Sequence, residues 1–290
     1  MKVISVKNVC FGYDAKPFIR DVSFSVGRGE VFGFLGPSGA GKSTLQKILT
    51  GLLTGYHGDV SVCGVDMRHR NPSFYERIGV DFEFPTLYEK LTARENLEFF
   101  GSLYKKKARP ALESLEMVGL ELDADKKVGA FSKGMKSRLN FAKAIAHDPD
   151  VLFLDEPTSG LDPANSRQMK DIIRSERDLG KAIILTTHNM HDAAELCDRV
   201  AFIVDGSVRA LDTPRNLMLS RGAAKIRYSW IAEDGEGGCA RESWGETILS
   251  GTGADSRLRE LIGSGKLVSI HSQEPSLEDI FMDVTGRGLA

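Results

Sequence analysis

The sequence predicts an α/β fold whose core is a mostly parallel sheet. A buried strand, Val31–Leu35, is followed by a glycine-rich turn and then by a run that starts a helix. Two further apolar runs, Val151–Leu154 and Ala182–Leu185, contain no polar side chain before their ends, which is typical of strands in the middle of a parallel sheet covered on both faces. Helical patterns follow them at about 163–179 and about 190–196.

The glycine-rich turn fits the pattern G-x-x-x-x-G-K-[ST] of the phosphate-binding loop of nucleotide hydrolases. Glycines let the backbone turn tightly and aim N–H groups at phosphate oxygens, and the helix that follows presents its positive end to the same phosphates. Lys42 is predicted to lie near the β- and γ-phosphates of ATP, and Ser43 to offer its hydroxyl to Mg²⁺. The predicted nucleotide-binding residues of this loop are Gly36, Pro37, Ser38, Gly39, Ala40, Gly41, Lys42, Ser43 and Thr44.

Two N-terminal segments, Val3–Val9 and Val22–Val26, alternate apolar and polar residues and are predicted to be half-buried antiparallel strands. Between them we predict a loop, Phe11–Asp14, that carries an aromatic side chain. Tyr13 alone would more often be a surface or packing residue. Its position ahead of the phosphate loop favours stacking on the nucleotide base, which is worth roughly 1–3 kcal/mol by analogy with other base–aromatic contacts.

Polar residues come directly after two of the buried strands. Because ligands bind at the carboxyl ends of strands in open parallel sheets, we expect Asp155, Glu156 and His188 to converge with the phosphate loop. Asp155 is the predicted Mg²⁺ ligand beside Ser43. Glu156 is predicted to accept a proton from an attacking water or to orient it, and His188 to hydrogen-bond the γ-phosphate or that water.

Five motifs resemble, in order and spacing, the nucleotide-binding cassette of ABC transporters over about residues 2–219. They are Gly36–Thr44, Ser132-Lys133-Gly134, Val151–Glu156, Ser159–Asp162 and His188. The signature serine precedes the acidic strand end by 155 − 132 = 23 positions, which is typical of that family. The resemblance implies a P-loop NTPase cassette at 1–219, with a mixed, mostly parallel sheet core, an antiparallel β subdomain and a helical subdomain at about 84–145.

The resemblance also implies how the protein works. Two copies of the cassette would sandwich two ATP molecules, with the phosphate loop of one copy facing the Ser132–Gly134 segment of the other. That segment is predicted to open a helix, so that the Ser132 hydroxyl and backbone N–H groups, including that of Gly134, would bind the γ-phosphate. Asp162 would lie at the dimer seam and link the two sites.

Two positions depart from the family pattern. The usual signature Leu-Ser-Gly-Gly-Gln is replaced at 131–135 by Phe-Ser-Lys-Gly-Met, in which Lys133 either helps to hold phosphate or faces solvent and Met135 loses the hydrogen bonds of a glutamine. Glu83 stands where the family usually has a glutamine that reaches the metal. A glutamate there can still bind the cation, and its charge favours a raised carboxylate pKa near Glu156. The residues after it, including Phe84, Leu87 and Tyr88, either form a groove for a helix of the membrane partner or pack in the core.

The charge balance and the length of the apolar runs bear on which partners the chain can have. The 38 lysines and arginines nearly balance the 40 aspartates and glutamates, for a net charge of −2, which gives no electrostatic basis for nucleic acid as the main partner. No apolar run approaches the roughly 18–20 residues of a membrane-spanning helix. If the protein works at a membrane, another chain must span it. The resemblance to ABC transporters implies that the spanning chain is a separate permease and that the ATPase is peripheral at the cytoplasmic face.

Residues 220–290 are predicted to form a small α+β accessory domain beyond the cassette. The predicted elements are strands at Ala224–Ala232 and Lys266–His271, a polar loop at Asp234–Gly238 and a helix at Asp255–Ile262. A last helix begins after the cap residue Ser276, with Leu277, Ile280, Phe281 and Val284 on one face, and ends at Gly286. This ending is similar to the tail of cassettes from bacterial multidrug, antibiotic and polysaccharide exporters, and favours export over import.

The predicted function is that of an ATP-binding and hydrolysing subunit that powers export through a separate permease. One alternative is a soluble ABC ATPase acting on ribosomes or DNA, although those relatives carry two cassettes or long coiled coils, and neither is seen here. A regulatory cassette with weak hydrolysis is left open by Glu83 and Met135. A kinase with the same loop would have no use for Ser132–Gly134 or for Ser159–Asp162.

Overall fold

The computed structural model describes residues 2–13, 16–221, 225–233, 240–248, 255–273 and 275–286. The chain divides into two compact units, one ending at Thr213 and the other beginning at Pro214. The boundary predicted from the sequence, after residue 219, lies a few residues further along. The predicted Asp234–Gly238 loop falls outside the described residues.

The first unit contains the following elements in chain order. They are β1 (Lys2–Tyr13), β2 (Lys16–Gly27), β3 (Val31–Leu35), α1 (Lys42–Leu49), β4 (His57–Val62), β5 (Val65–Asp66), α2 (Pro72–Tyr75), β6 (Ile78–Asp81), α3 (Ala93–Ser102), α4 (Ala111–Met117), α5 (Lys133–Ile145), β7 (Val151–Asp155), α6 (Pro163–Asp178), β8 (Ala182–Thr187), α7 (Met190–Leu196), β9 (Arg199–Val204) and β10 (Ser207–Asp212).

The central sheet has the strand order β10-β9-β3-β8-β7-β6 and is parallel except for β10. Strand β3 and most of β7 and β8 are fully buried, because their unbroken apolar sequences are covered on both faces. The register pairs Leu35 with Thr187 and Asp155 with Thr186, so the carboxyl ends of three strands meet at one edge. The predicted α/β core is confirmed, as is the turn at Asp205-Gly206, where both residues have positive φ.

A second, antiparallel sheet has the order β2-β1-β4-β5 and packs its apolar face on the first. Phe24 of β2 stacks on Phe32 of β3 with a centroid distance of 5.1 Å. The predicted loop around Tyr13 is wrong, because β1 continues to Tyr13 and β2 starts at Lys16. Irregular register between Val6 and Gly12 accounts for the error, since it breaks the alternation from which the strand was predicted.

The segments between the sheets and helices of this unit carry several of the residues discussed below. Strand β6 ends at Asp81, whose side chain is buried, and an exposed loop carries Glu83. Helices α3 and α4 are separated by a loop that holds the three lysines at 105–107. Helix α5 begins at Lys133, because the Ser132 side chain accepts a hydrogen bond from the Met135 N–H and caps it there.

The second unit contains a three-stranded sheet and three helices within its described residues. The elements are α8 (Pro214–Arg221), β11 (Lys225–Glu233), β12 (Ala240–Ile248), α9 (Ser256–Ser264), β13 (Leu267–Gln273) and α10 (Leu277–Thr285). The sheet order is β12-β11-β13, and α9 covers one face through Leu258 and Leu261. Strand β12 was not predicted. Helix α10 has a capping box between Ser276 and Asp279 and ends at Gly286 with φ 65°, as predicted.

Among the described residues, no helix combines the length and the apolar character that a bilayer span requires. The three cysteines in this part of the chain, Cys10, Cys63 and Cys197, are free thiols.

Candidate nucleotide-binding site

The loop between β3 and α1 depends on glycine at two positions. Gly36 has φ 156°, and a Cβ atom placed on it would lie 2.1 Å from the Ile203 carbonyl oxygen. Gly41 has φ 113° and is the N-cap residue of α1, where any side chain would meet Ile19 at 2.7 Å. The backbone can therefore turn tightly and approach a ligand at these points, which matches the role predicted for the loop.

Lys42 crosses the loop that precedes it. Its Nζ donates to the carbonyl oxygens of Gly36, at 2.6 Å, and Pro37, at 3.1 Å. Burial lowers the pKa of Lys42, and the carboxylates of Glu156 and Asp155 act in the opposite direction. The ammonium group thus lies between the loop backbone and two acidic side chains.

One polar cavity of about 290 Å³ joins the loop to the acidic strand end. It is lined by Phe18, Ser38, Gly39, Gly41, Lys42, Ser43, Thr44, Glu83, Asp155, Glu156 and His188. The structure therefore brings together the loop, both predicted carboxylates, Glu83 and His188, although they come from four separate stretches of sequence. All of the predicted metal ligands, Ser43, Glu83 and Asp155, line this cavity.

Asp155 is the last residue of β7 and is partly buried. Burial raises its pKa, and the nearby charges of Glu156 and Glu83 raise it further, while a hydrogen bond from the Thr186 hydroxyl lowers it. The sequence analysis expected Glu83 to raise the pKa of a carboxylate close by. In the structure the group affected is Asp155.

Three contacts hold the Glu156 carboxylate in place. Its Oε2 accepts a hydrogen bond from the Thr187 hydroxyl at 3.0 Å, and its Oε1 accepts the His188 N–H at 2.9 Å and lies 2.7 Å from His188 Nδ1. The backbone of Glu156 is left-handed, with φ 52°, which is a strained conformation for a residue with a side chain. A backbone hydrogen bond from its N–H to the Thr186 carbonyl, at 2.9 Å, holds this conformation.

Tyr13 lies at the end of β1 and is 45% exposed. Its hydroxyl lies 3.4 Å from Thr44 Oγ1, and its ring makes edge contacts with Phe11 and Phe18, at centroid distances of 4.8 and 5.6 Å. Tyr13 is therefore next to the phosphate loop but is not part of the cavity lining, whereas Phe18 is. The exposed ring of Tyr13 and the half-buried ring of Phe18 form one aromatic group beside the loop.

Several residues of the site were missed from the sequence. Thr186 and Thr187 hold Asp155 and Glu156, and Phe18 lines the cavity. The position of the two threonines directly before His188 was the available signal. Asp81 was also missed as a site residue: it is fully buried at the end of β6, accepts a hydrogen bond from Asn140, and has its pKa raised to about 7 by burial.

Comparison with known proteins identifies the family. Residues 19–159 match the family model for the ABC transporter. The fluoroquinolones export ATP-binding protein of Mycobacterium tuberculosis (strain CDC 1551 / Oshkosh) is 47% identical over 290 residues, which cover 99% of this chain and 95% of that protein. The chain belongs to the ATP-binding subunits of ABC transporters. The resemblance stated from the sequence is thus confirmed, and the protein is an ATPase that binds nucleotide.

Other relatives support the same assignment. The Nod factor export ATP-binding protein I of Rhizobium meliloti (strain 1021) is 37% identical, and the match covers 99% of this chain and 89% of that protein. A solved structure described as the ATP-binding subunit of an ABC transporter superposes with a TM-score of 0.69 at 30% identity, over 75% of this chain and 92% of that one. The alternative of a soluble or regulatory ATPase is not favoured by relatives that are named as export proteins.

The signature segment of this ABC ATPase does not line the cavity that holds its own phosphate loop. Ser132 caps α5, and Asp162 caps α6 by accepting hydrogen bonds from the N–H groups of Ala164 and Asn165, both at 3.0 Å. These bonds lower the pKa of Asp162. Gly134 lies in the first turn of α5 and packs near Leu161.

A larger, mostly apolar groove of about 550 Å³ lies on another face of the ABC ATPase. Its lining includes Leu52, Tyr75, Phe82, Phe100, Leu103 and Tyr104. Phe84, Leu87 and Tyr88, which the sequence analysis offered as groove residues, are not in this lining. Tyr88 instead stacks on Phe100 at 5.7 Å, and Phe84 is 77% exposed, so neither is ordinary core packing.

Proposed function

We propose that this ABC ATPase hydrolyses Mg²⁺-bound ATP at the carboxyl edge of its central sheet and that hydrolysis powers export through a separate permease. The observation that supports this most strongly is the single cavity shared by Lys42, Ser43, Asp155, Glu156 and His188. It combines a phosphate cradle, a cation site and a proton acceptor, which are the parts that phosphoryl transfer requires.

The lining of the cavity suits a hard divalent cation. Ser43, Asp155 and Glu83 offer a hydroxyl and two carboxylates, which are oxygen ligands of the kind that Mg²⁺ prefers. Burial is the main cause of the raised pKa of Asp155, and the neighbouring charges of Glu156 and Glu83 act in the same direction, so a bound cation would favour the ionised carboxylate. When bound, Mg²⁺ would neutralise charge on the phosphates. We assign its binding to these three side chains.

Glu156 is proposed as the base that accepts a proton from the water attacking the γ-phosphate. Its carboxylate is oriented by the Thr187 hydroxyl and the His188 N–H, so the acceptor oxygen is held in place before substrate arrives. His188, 2.7 Å from Glu156 through Nδ1, is placed to stabilise the charge that develops on the γ-phosphate. Lys42, which lines the same cavity, supplies positive charge to it.

A second copy of the chain is proposed to complete each site. Ser132, Gly134 and Asp162 lie outside the cavity of their own chain, although each is at or near the N-terminus of a helix of more than one turn. Donors in such a position bind anions well. In an ATP-sandwich dimer Ser132 and Gly134 would face the γ-phosphate held by the partner, and Tyr13 would lie beside the base. Asp162 would lie at the dimer seam and link the two sites.

The apolar groove is proposed to accept a helix of the permease at the cytoplasmic face of the membrane. Leu103 is 64% exposed and Tyr75 is 40% exposed at its rim, and such a concave apolar surface is typical of helix-binding sites. Relatives named for the export of fluoroquinolones and of Nod factor indicate that the transported substrate is an organic molecule moved outward.

The catalytic proposal is tested with Glu156→Gln. We expect ATP binding and ATP-dependent dimerisation to persist while kcat falls at least about 100-fold, because the amide cannot accept the proton. Glu98→Gln, an exposed glutamate on α3, is the matched control and is expected to keep full turnover. An unchanged kcat in Glu156→Gln would remove Glu156 from this role.

The docking proposal is tested with Leu103→Glu in tagged protein captured from detergent-solubilised native membranes. We expect the parent protein to recover a polytopic membrane protein and the variant to lose it, because a carboxylate in the groove is costly to desolvate. Leu122→Glu changes a leucine that is 95% exposed and outside the groove, and recovery should persist. Equal recovery by both variants would refute docking in the groove.

A further inference from the structure

The signature segment of this chain packs against the Ser159–Asp162 turn of the same chain. Gly160 has φ 72°, and a Cβ atom placed on it would lie 3.5 Å from Lys133 Nζ and 3.6 Å from Lys133 Cε. A Cβ atom placed on Gly134 would lie 3.4 Å from Leu161 Cδ2. The lysine therefore lies over a glycine of the turn, and a leucine of the turn lies over a glycine of the signature segment.

The same lysine lines a second cavity, of about 220 Å³. That cavity also includes Glu83, Asp155, Glu156 and Ser159. A cation in the first turn of a helix is disfavoured by the helix dipole, so α5 alone would be more stable with a residue at 133 that carries no positive charge. The carboxylates of Glu83, Asp155 and Glu156 in the same lining carry charge of the opposite sign.

We infer that Lys133 is a positioning residue that ties the signature segment to the Ser159–Asp162 turn, so that both reach the nucleotide of the partner copy as one unit. The inference rests on the proposed ATP-sandwich dimer, in which both segments face that nucleotide. Two properties of the side chain carry it: the stem that covers Gly160, and the positive charge in a cavity whose lining includes those three carboxylates.

The glycine that the family usually has at position 133 has neither a stem nor a charge. Arginine at 133 keeps both a stem and a charge, and methionine keeps a stem of similar length without the charge. The two replacements therefore separate packing from electrostatics. Lys136, one turn along α5, pairs with Glu89 at 2.5 Å and is absent from the lining of either cavity, so Lys136→Met is a matched change of charge on the same helix.

The experiment measures ATP-dependent dimerisation of the full chain by sedimentation velocity, in a Glu156→Gln background that prevents turnover and leaves Glu83 and Asp155 among the carboxylates of the second cavity. Thermal midpoints are recorded in parallel for every variant. We expect Lys133→Met to raise the ATP concentration needed for half-maximal dimerisation about two- to tenfold, which is the size expected for one exposed charged contact made twice in a symmetric dimer. Lys133→Arg and Lys136→Met should need the same ATP concentration as the parent. Lys133→Gly should need a higher ATP concentration than Lys133→Met, because it loses the stem as well as the charge.

Three results would overturn the inference, and they differ. If the parent dimerises with ATP and Lys133→Met and Lys133→Gly do so equally well, Lys133 does not position the turn, and the dimer proposal stands. If the parent does not dimerise with ATP, the dimer proposal itself is wrong, and the inference that depends on it falls too. A change in dimerisation matched by an equal change with Lys136→Met would show that general charge on α5, and not Lys133, is responsible.

Discussion

Lowering the pH from 7 to 5 should destabilise the first unit through one buried histidine. His147 is 1% exposed, and its ring stacks on Tyr104 at a centroid distance of 3.8 Å and an interplanar angle of 4°. Its Nε2 lies 2.9 Å from the Ile78 carbonyl oxygen, which can only accept, so Nε2 carries the proton. Nδ1 has no partner among the described residues and would be buried as a charged N–H if it were protonated.

The magnitude follows from the pKa of this histidine. Burial lowers the pKa of His147 from 6.5 to about 4 in the folded protein. Above pH 6.5 both states are neutral and the group has no effect. Between pH 6.5 and about 4 the unfolded chain binds a proton that the native state does not, so stability falls as pH falls. The full difference corresponds to about 3 kcal/mol, of which about 2 kcal/mol is lost between pH 7 and pH 5.

Urea unfolding at pH 7 and pH 5 measures this loss. Circular dichroism reports the whole chain, whereas both tryptophans, Trp230 and Trp244, lie in the second unit, so their fluorescence is an internal control. Asp81, whose pKa burial raises to about 7, binds a proton in the folded state over the same pH range and therefore gains stability as pH falls, so the share of the histidine is read from the difference between parent and variant. His147→Gln keeps a donor for the Ile78 carbonyl, although packing against Tyr104 is lost, and its stability relative to the parent should rise by about 2 kcal/mol between pH 7 and pH 5. His69→Gln, at an exposed histidine, should follow the parent at both pH values. A His147→Gln variant whose stability changes with pH as the parent's does would refute the reasoning.

Two further predictions concern the site and the second unit. Thr187→Val should lower kcat about tenfold with little change in KM, because the hydroxyl that orients Glu156 at 3.0 Å is lost. Thr187→Ser keeps a hydroxyl and should retain the parental kcat. Steady-state kinetics that give equal kcat values for the valine and serine variants would contradict this role. Gly245→Ala should destabilise the second unit by about 1–3 kcal/mol, because the new Cβ would lie 2.5 Å from Tyr228 Cζ. Gly263→Ala on α9 should instead be neutral or stabilising, because its new Cβ would have no atom within 4 Å. Tryptophan fluorescence during urea unfolding measures the stability of both variants.

The central sheet and the phosphate loop could be predicted because their signals are local. An unbroken apolar run predicts a strand buried on both faces, and the loop pattern contains its own glycines and lysine. Strand β12 gives the opposite case. Its inward positions include Gly245, which the Tyr228 ring of β11 covers, while Trp244 is 56% exposed on the other face. The alternation therefore carries no inward apolar signal, because the neighbouring strand supplies the bulk.

The threonines of β8 show why the site was predicted only in part. In the sequence Thr186 and Thr187 read as ordinary strand residues. Their contact with Asp155 and Glu156 follows from the parallel register that pairs Asp155 with Thr186, and that register is a property of two strands far apart in the chain. Residues that act on the ligand belong to recognisable sequence motifs. Residues that orient those side chains can be identified only from contacts in the folded structure, and the sequence alone does not give these contacts.

The contacts within the cavity bear on how ATP binds. Lys42 already donates to two loop carbonyls, and Glu156 already accepts from Thr187 and His188. A phosphate that binds Lys42 must therefore compete with the carbonyls of Gly36 and Pro37, so it exchanges hydrogen bonds instead of adding them. The N–H groups in the first turn of α1 have no such competitor within the helix, because the first turn of a helix leaves its N–H groups unpaired, whereas the Ala40 N–H of the loop already donates to the Pro37 carbonyl at 3.2 Å. Backbone donors should thus contribute most of the phosphate affinity, and Lys42 should act mainly on the charge that develops during transfer. Lys42→Ala is accordingly expected to lower kcat more than it weakens nucleotide binding.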